Sequence, residues 1–168
     1  MDAVQLLKEG LAFARTTAAG TMADVDATTA NWLPPGKAIP IGALYAHILQ
    51  GEDIVVNQML QGKKTIWETS EWDKKVKLAF GQLTPEARNA RIDLAVLKPY
   101  AEAVARATDA YLSSANAADM DRTIHMGGSI GGMTAGALVE AWVVGHIWSH
   151  MGEVSALKGL QGKQGYPF

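Results

Sequence analysis

Apolar residues recur every three or four positions in four separate stretches of this chain, and no stretch alternates apolar with polar residues over a strand's length. At about 100° per residue, such spacing gathers a stripe on one side of a helix, so the chain is constrained to pack helix against helix. The first stripe is Val4, Leu7, Leu11, Ala14, Ala18, Met22 and Val25, with Asp2 placed to cap its start. Asn31-Trp32-Leu33-Pro34-Pro35-Gly36 breaks the chain, and Pro40 opens a second helix, where its missing N–H is harmless. Leu44, His47, Ile48, Gly51, Val55 and Met59 share the inner face of that helix, and Gly62 suits its C-terminal cap.

Lys63 to Leu83 reads as a connector with a short helical piece around Trp67 and Trp72. Thr84-Pro85-Glu86 has the signature of a helix start, and Leu97, Tyr100, Val104, Ala107 and Tyr111 follow at bundle spacing. Pro99 lies inside that helix and is expected to kink or divide it. Ser113 to Gly132 reads as a loop. Its glycine-rich end, Gly127 to Gly132, lacks a Walker lysine and follows no predicted strand, so it is not read as a phosphate cradle. The last helix spans about Thr134 to Gly159, with Val139, Trp142, His146, His150, Glu153, Leu157 and Leu160 on its inner stripe. The 168 residues form one domain, an all-α, up-down-down-up-type four-helix bundle with a long crossover connection.

Composition narrows the function. A formal net charge of -2 gives no basic face for nucleic acid. The absence of cysteine removes disulfides, thiolate metal sites and a cysteine nucleophile. The charge-free run from Thr123 to Val139 is too short and too rich in glycine for a membrane span, and residues 1–9 hold no apolar signal core. A cytoplasmic protein is the expectation.

Three of the four histidines fall on inner stripes. His146 and His150, four apart, project to one side of a helix one turn from each other, which suits two imidazoles gripping one metal. Taken alone, the pair equally suits two partly buried, hydrogen-bonded side chains. His47, on the inner face of another helix, shifts the balance to a metal, because a core imidazole needs a partner. Gly51, one turn on, removes a side chain from the same face. Three neutral imidazoles leave coordination positions open, as catalytic rather than structural zinc sites do. Glu153 is a candidate to hold a histidine by hydrogen bonding, to bond a neighbouring backbone, or to act as a base; the structural roles are favoured.

His125 reads as solvent-exposed in the glycine-rich loop. Gly145, Ser149 and Gly152 would let a neighbouring helix approach closely, and the five tryptophans read as core or interface anchors. No Glu-x-x-His, His-Glu-x-x-His or Gly-x-Ser-x-Gly occurs, which argues against di-iron, zincin and serine-hydrolase chemistry.

The stretch from His146 to Gly162 resembles the closing helix of the DinB-like (damage-inducible B) family: His, three residues, His, one residue, Gly, Glu, an aliphatic, then Leu, Lys and a late Gly. Ile41 to His47, followed by Glu52, is similar to the family's second helix with its histidine and downstream acid. The resemblance implies a four-helix bundle, often a homodimer, with a divalent metal, commonly zinc or nickel, on His47, His146 and His150. Some relatives are thiol transferases or isomerases that use mycothiol, bacillithiol or glutathione; this sequence carries nothing recognisable as a pocket for such a thiol. Three readings follow: a metal-dependent enzyme activating a low-molecular-weight thiol or water, a non-catalytic metal- or ligand-binding stress-response bundle, and a metal-free helical dimer. Metal content separates the third from the others.

Overall fold

The computed structural model describes residues 2–128 and 131–168. Helix α1 (Ala3–Met22) is capped by the Asp2 carboxylate, which accepts from the Gln5 N–H at 2.8 Å, and a single turn, α2 (Ala27–Ala30), follows. Helix α3 (Ile41–Asp53) starts after Pro40 and continues as a π-helical segment, Ile54–Leu60. The crossover contains two single turns, α4 (Ile66–Thr69) and α5 (Trp72–Lys75), and a 3-10 turn at Pro85–Asn89. Helix α6 (Leu94–Ser114) leads into the short α7 (Ala117–Asp121) and a hairpin of β1 (Thr123–Gly127) and β2 (Gly131–Thr134). The last helix runs as α8 (Ala135–Val139), a π-helical segment Glu140–Val144, and α9 (Gly145–Leu160), its start capped by Thr134.

The four long helices make the expected bundle. Helix α3 packs on α6 and α9, α9 packs on α1, and α1 meets α6 more sparingly. Leu7, Leu11, Leu44, Ile48, Leu138, Val143, Ile147 and Met151 are among the residues of the main core. The other face of α3, with Ala43, Ala46 and Leu49, forms a second core with Trp67 and Trp72 of the crossover and Leu97, Tyr100 and Val104 of α6. Asp53, fully buried, fastens this layer. It accepts from Asn57 Nδ2 at 2.8 Å, the Ile66 and Trp67 N–H groups at 3.0 Å each, and the Tyr100 hydroxyl at 2.8 Å.

Several expectations are corrected. Thr84-Pro85-Glu86 starts only the 3-10 turn; the long helix begins at Leu94, capped by Asp93. Pro99 does not divide α6, because Ala95, whose carbonyl the proline cannot serve, lies exposed in the first turn where water can bond it. The buried stripe of α6 ends on Thr108 and Leu112 rather than Ala107 and Tyr111, and that of α1 on Thr17 and Thr21 rather than Ala18 and Met22. The expected loop at 113–132 contains α7 and the hairpin, whose strands were too short and glycine-rich to show an alternation. Ser129 and Ile130 of the glycine run lie outside the described residues.

The last helix carries the largest correction. Trp142 is 41% exposed and Leu160 65%, and the Glu153 side chain is 53% exposed, while Val143, Ile147, Met151, Val154 and Lys158 are buried. A π turn holds one residue more than an α turn, so the segment at Glu140–Val144 rotates everything after it by about 100°. The second π segment acts likewise: Leu60, five residues after Val55, is buried in place of Met59.

Candidate metal centre

The rotation places His146 and His150 at the edge of α9 that faces α3, where His47 stands. One ligand nitrogen from each of the three rings lies within 4.8 Å of the other two, and all three side chains are partly buried. His146 Nε2 and His47 Nε2 are 3.2 Å apart. The ring centres are 4.5–5.0 Å apart and the planes nearly perpendicular, at 70–86°. Two nitrogens that each sit about 2.0–2.1 Å from one tetrahedral zinc are about 3.3 Å from each other, so the His47–His146 spacing suits a shared ion.

Local sequence explains the approach. A Cβ on Gly51 would lie 2.7 Å from His146 Cε1 and 2.9 Å from Nδ1, so only glycine leaves room for that ring on the α3 surface. Burial pushes His47 and His146 down to about 4; the charge of His150 adds to this in both, and His47 adds to it in His146. Both imidazoles are therefore neutral near pH 7, the form a metal requires. His47 Nδ1 is buried without a hydrogen-bond partner among the described residues, an arrangement that costs about 1–3 kcal/mol and that strong bonding at the ring's other nitrogen would offset. The residues present thus fit a divalent cation.

Glu153 lies outside the core, contrary to the expected inner position, yet its Oε2 is 3.2 Å from His150 Nδ1. A hydrogen bond at that distance can restrain the orientation of the His150 ring. His125 is exposed, on β1 rather than in a loop, and is not one of the three clustered histidines. Gly145, Ser149 and Gly152 form no helix seam among the described residues: Ser149 is exposed, and Gly152 faces the hydroxyl of Tyr166 in the C-terminal tail. Trp67 and Trp72 are core anchors as expected, and Trp142 is not. The sequence marked Glu52 only as the acid downstream of His47; neither its burial nor that of Asp53 was anticipated. Glu52 accepts from Arg15 and from Thr108 Oγ1. The signal for Glu52 and Asp53 was their place within a helix on otherwise apolar faces.

No helix among the described residues is long and apolar enough to cross a membrane. No curated protein matches the chain. A crystal structure of a conserved protein from Enterococcus faecalis has the same fold, with a TM-score of 0.81 and 19% sequence identity over 97% of this chain and 99% of that one. The model of the DinB superfamily matches residues 11–154, and the chain belongs to that superfamily.

Proposed function

We propose that His47, His146 and His150 hold one divalent metal ion, zinc or nickel, and that the loaded protein is an enzyme acting on a low-molecular-weight thiol or water. The observation that carries this reading is the meeting of three imidazole nitrogens from two helices within 4.8 Å, with Gly51 leaving the space for His146. With three protein ligands, coordination positions stay open, and a bound metal supplies the charge that lowers the pKa of a thiol or water at neutral pH. The chain's own part is to present three ring nitrogens, two of them held neutral by burial. Glu153 steadies His150 and, being exposed, is placed to take a proton from an incoming group. The chain has no cysteine, so any thiol comes from a cosubstrate. A homodimer in the cytoplasm completes the proposal, supported by Leu6 and Phe13 on α1, each 61% exposed, with Phe13 against Trp148 of α9 at 5.4 Å between ring centres.

The test is elemental analysis of protein purified without a histidine tag, with melting measured before and after chelation. His150→Ala is expected to lower affinity by several kcal/mol, in proportion to its share of a metal-binding energy, whereas His125→Ala leaves it unchanged. If wild type and all three inner-histidine variants bind equally little metal and melt alike, the cluster is polar packing. Turnover of a thiol with an electrophile, lost on chelation, then separates an enzyme from a bundle that only binds metal.

A further inference from the structure

Between α1, α3, α6 and α9, on the side of α3 away from the histidines, lies a chamber of about 160 Å³. Four alanines, Ala18, Ala19, Ala101 and Ala105, leave it open, and Ile48, Ile147 and Met151 line it from α3 and α9. Tyr45, Ala101 and Ala105 also border an outer groove of about 550 Å³ between α1 and α6. A purely aliphatic void of this size would be a packing defect able to take one benzene-sized ring, as a cavity of about 150 Å³ does.

This chamber has a carboxylate in its wall. Glu52 is 4% exposed, and its Oε1 accepts from Thr108 Oγ1 at 2.6 Å and from Arg15. Among the described residues nothing donates to Oε2, and this oxygen keeps a little surface open, so a donor can reach it through the chamber that Glu52 lines. Arg15, which also lines the chamber, is shared, because its Nη1 donates to the exposed Asp109 at 2.6 Å. One cation thus serves two carboxylates. Tyr45 brings an aromatic ring to the same wall; burial and then the Glu52 charge raise its hydroxyl above the usual range. On the rim of the outer groove stand Lys98 and Glu102, the latter paired with Arg106 at 3.8 Å.

A carboxylate oxygen lacking a donor, an aromatic face and aliphatic walls are together the recognition elements for an organic cation with an apolar body. We propose that the chamber binds a small protonated amine on an aryl or branched-alkyl body, its ammonium at Glu52 Oε2 and Tyr45 and its body among the alanines. This site is separate from the three histidines and does not depend on their holding a metal.

The test titrates the full chain with benzylamine, benzyl alcohol and phenylacetate at neutral pH, by calorimetry and by melting temperature. Benzylamine is expected to bind one per chain and raise the melting temperature. Benzyl alcohol, of similar shape without the charge, should bind at least about tenfold more weakly, and phenylacetate not at all. Ala105→Leu, which fills the wall from α6, should abolish benzylamine binding with an unchanged circular-dichroism spectrum. Glu52→Gln should weaken benzylamine by at least about tenfold while sparing benzyl alcohol; should that variant fail to fold, Ala105→Leu and the three-ligand comparison decide. The proposal is overturned if benzylamine does not bind, binds equally to Ala105→Leu, or binds no better than benzyl alcohol or phenylacetate.

Discussion

Replacing Gly51 with alanine sets two effects of opposite sign against each other. In a helix interior the change favours the folded state by about 0.5–1 kcal/mol, because glycine gives up more backbone freedom. At this position the new Cβ would stand 2.7 Å from His146 Cε1. Carbon atoms rest about 3.5–4.0 Å apart, so the His146 ring must retreat by about 1 Å. A metal bond does not tolerate that displacement. If a structural zinc site of four ligands is worth about 10–16 kcal/mol, one ligand accounts for about 2.5–4 kcal/mol, and affinity should fall about a hundredfold or more. The assay is competition against a chromophoric chelator, with melting temperatures of loaded and chelated protein. Chelated Gly51→Ala should melt at or above chelated wild type, and the loaded variant below loaded wild type. Gly10→Ala is the control, since its Cβ meets only Val144 Cγ1, at 4.0 Å. That variant should gain the helix term and keep the metal. Wild-type affinity in Gly51→Ala would refute the reasoning that this glycine shapes a metal site.

Acid should loosen the protein between about pH 6.5 and 4. His47 and His146 are held down at about 4 when folded, chiefly by burial, and return to about 6.5 when unfolded, so the unfolded chain takes up protons first and stability falls as pH drops through that window. Each ring alone would contribute up to about 3 kcal/mol; with partial exposure the pair should lose about 2–4, read from urea midpoints of chelated protein. Asp53→Asn turns one acceptor into a donor facing the N–H groups of Ile66 and Trp67 and the Tyr100 hydroxyl, and should destabilise by about 2–4 kcal/mol with metal stoichiometry unchanged. Glu153→Gln should weaken metal binding by at most about tenfold, given the carboxylate's exposure, and leave the melting of chelated protein unaltered.

The helical stripes made the bundle legible, and so did the histidines, because residues four apart on one helix stay together whichever way the helix is turned. Gly51 was legible for the same reason: it lies one turn from His47. The crossover was legible only in part: helical turns do form at Trp67 and Trp72, the first with a Thr65–Glu68 capping box, but their placement depends on tertiary partners, the Asp53 carboxylate and the Tyr100 ring, rather than on any period of their own. The burial of Trp142 and Glu153 was misread because apolar residues lie on two sides of the last helix, and a straight α-helical count selects the wrong one after Glu140.

That misreading bears on the proposed metal site. On a continuous α-helix from Val139, the stripe through His146 and His150 would point into the core among Leu138, Val143 and their neighbours, where a metal would be sealed from any substrate. The π turn at Glu140–Val144 gives the core Ile147, Met151 and Val154 instead, and turns the histidines to the α3 edge, partly open to solvent. The other π segment begins seven residues after His47, one residue past the buried Asp53. A π turn replaces the regular bonding with wider i→i+5 bonds and is frequently found at functional sites. Here two of them flank the one cluster of ligand side chains among the described residues. The same rotation points Ile147 and Met151 at the chamber beside Glu52. One extra residue in the last helix thus divides its two faces between the edge that carries the proposed metal site and the inner wall of the proposed amine chamber.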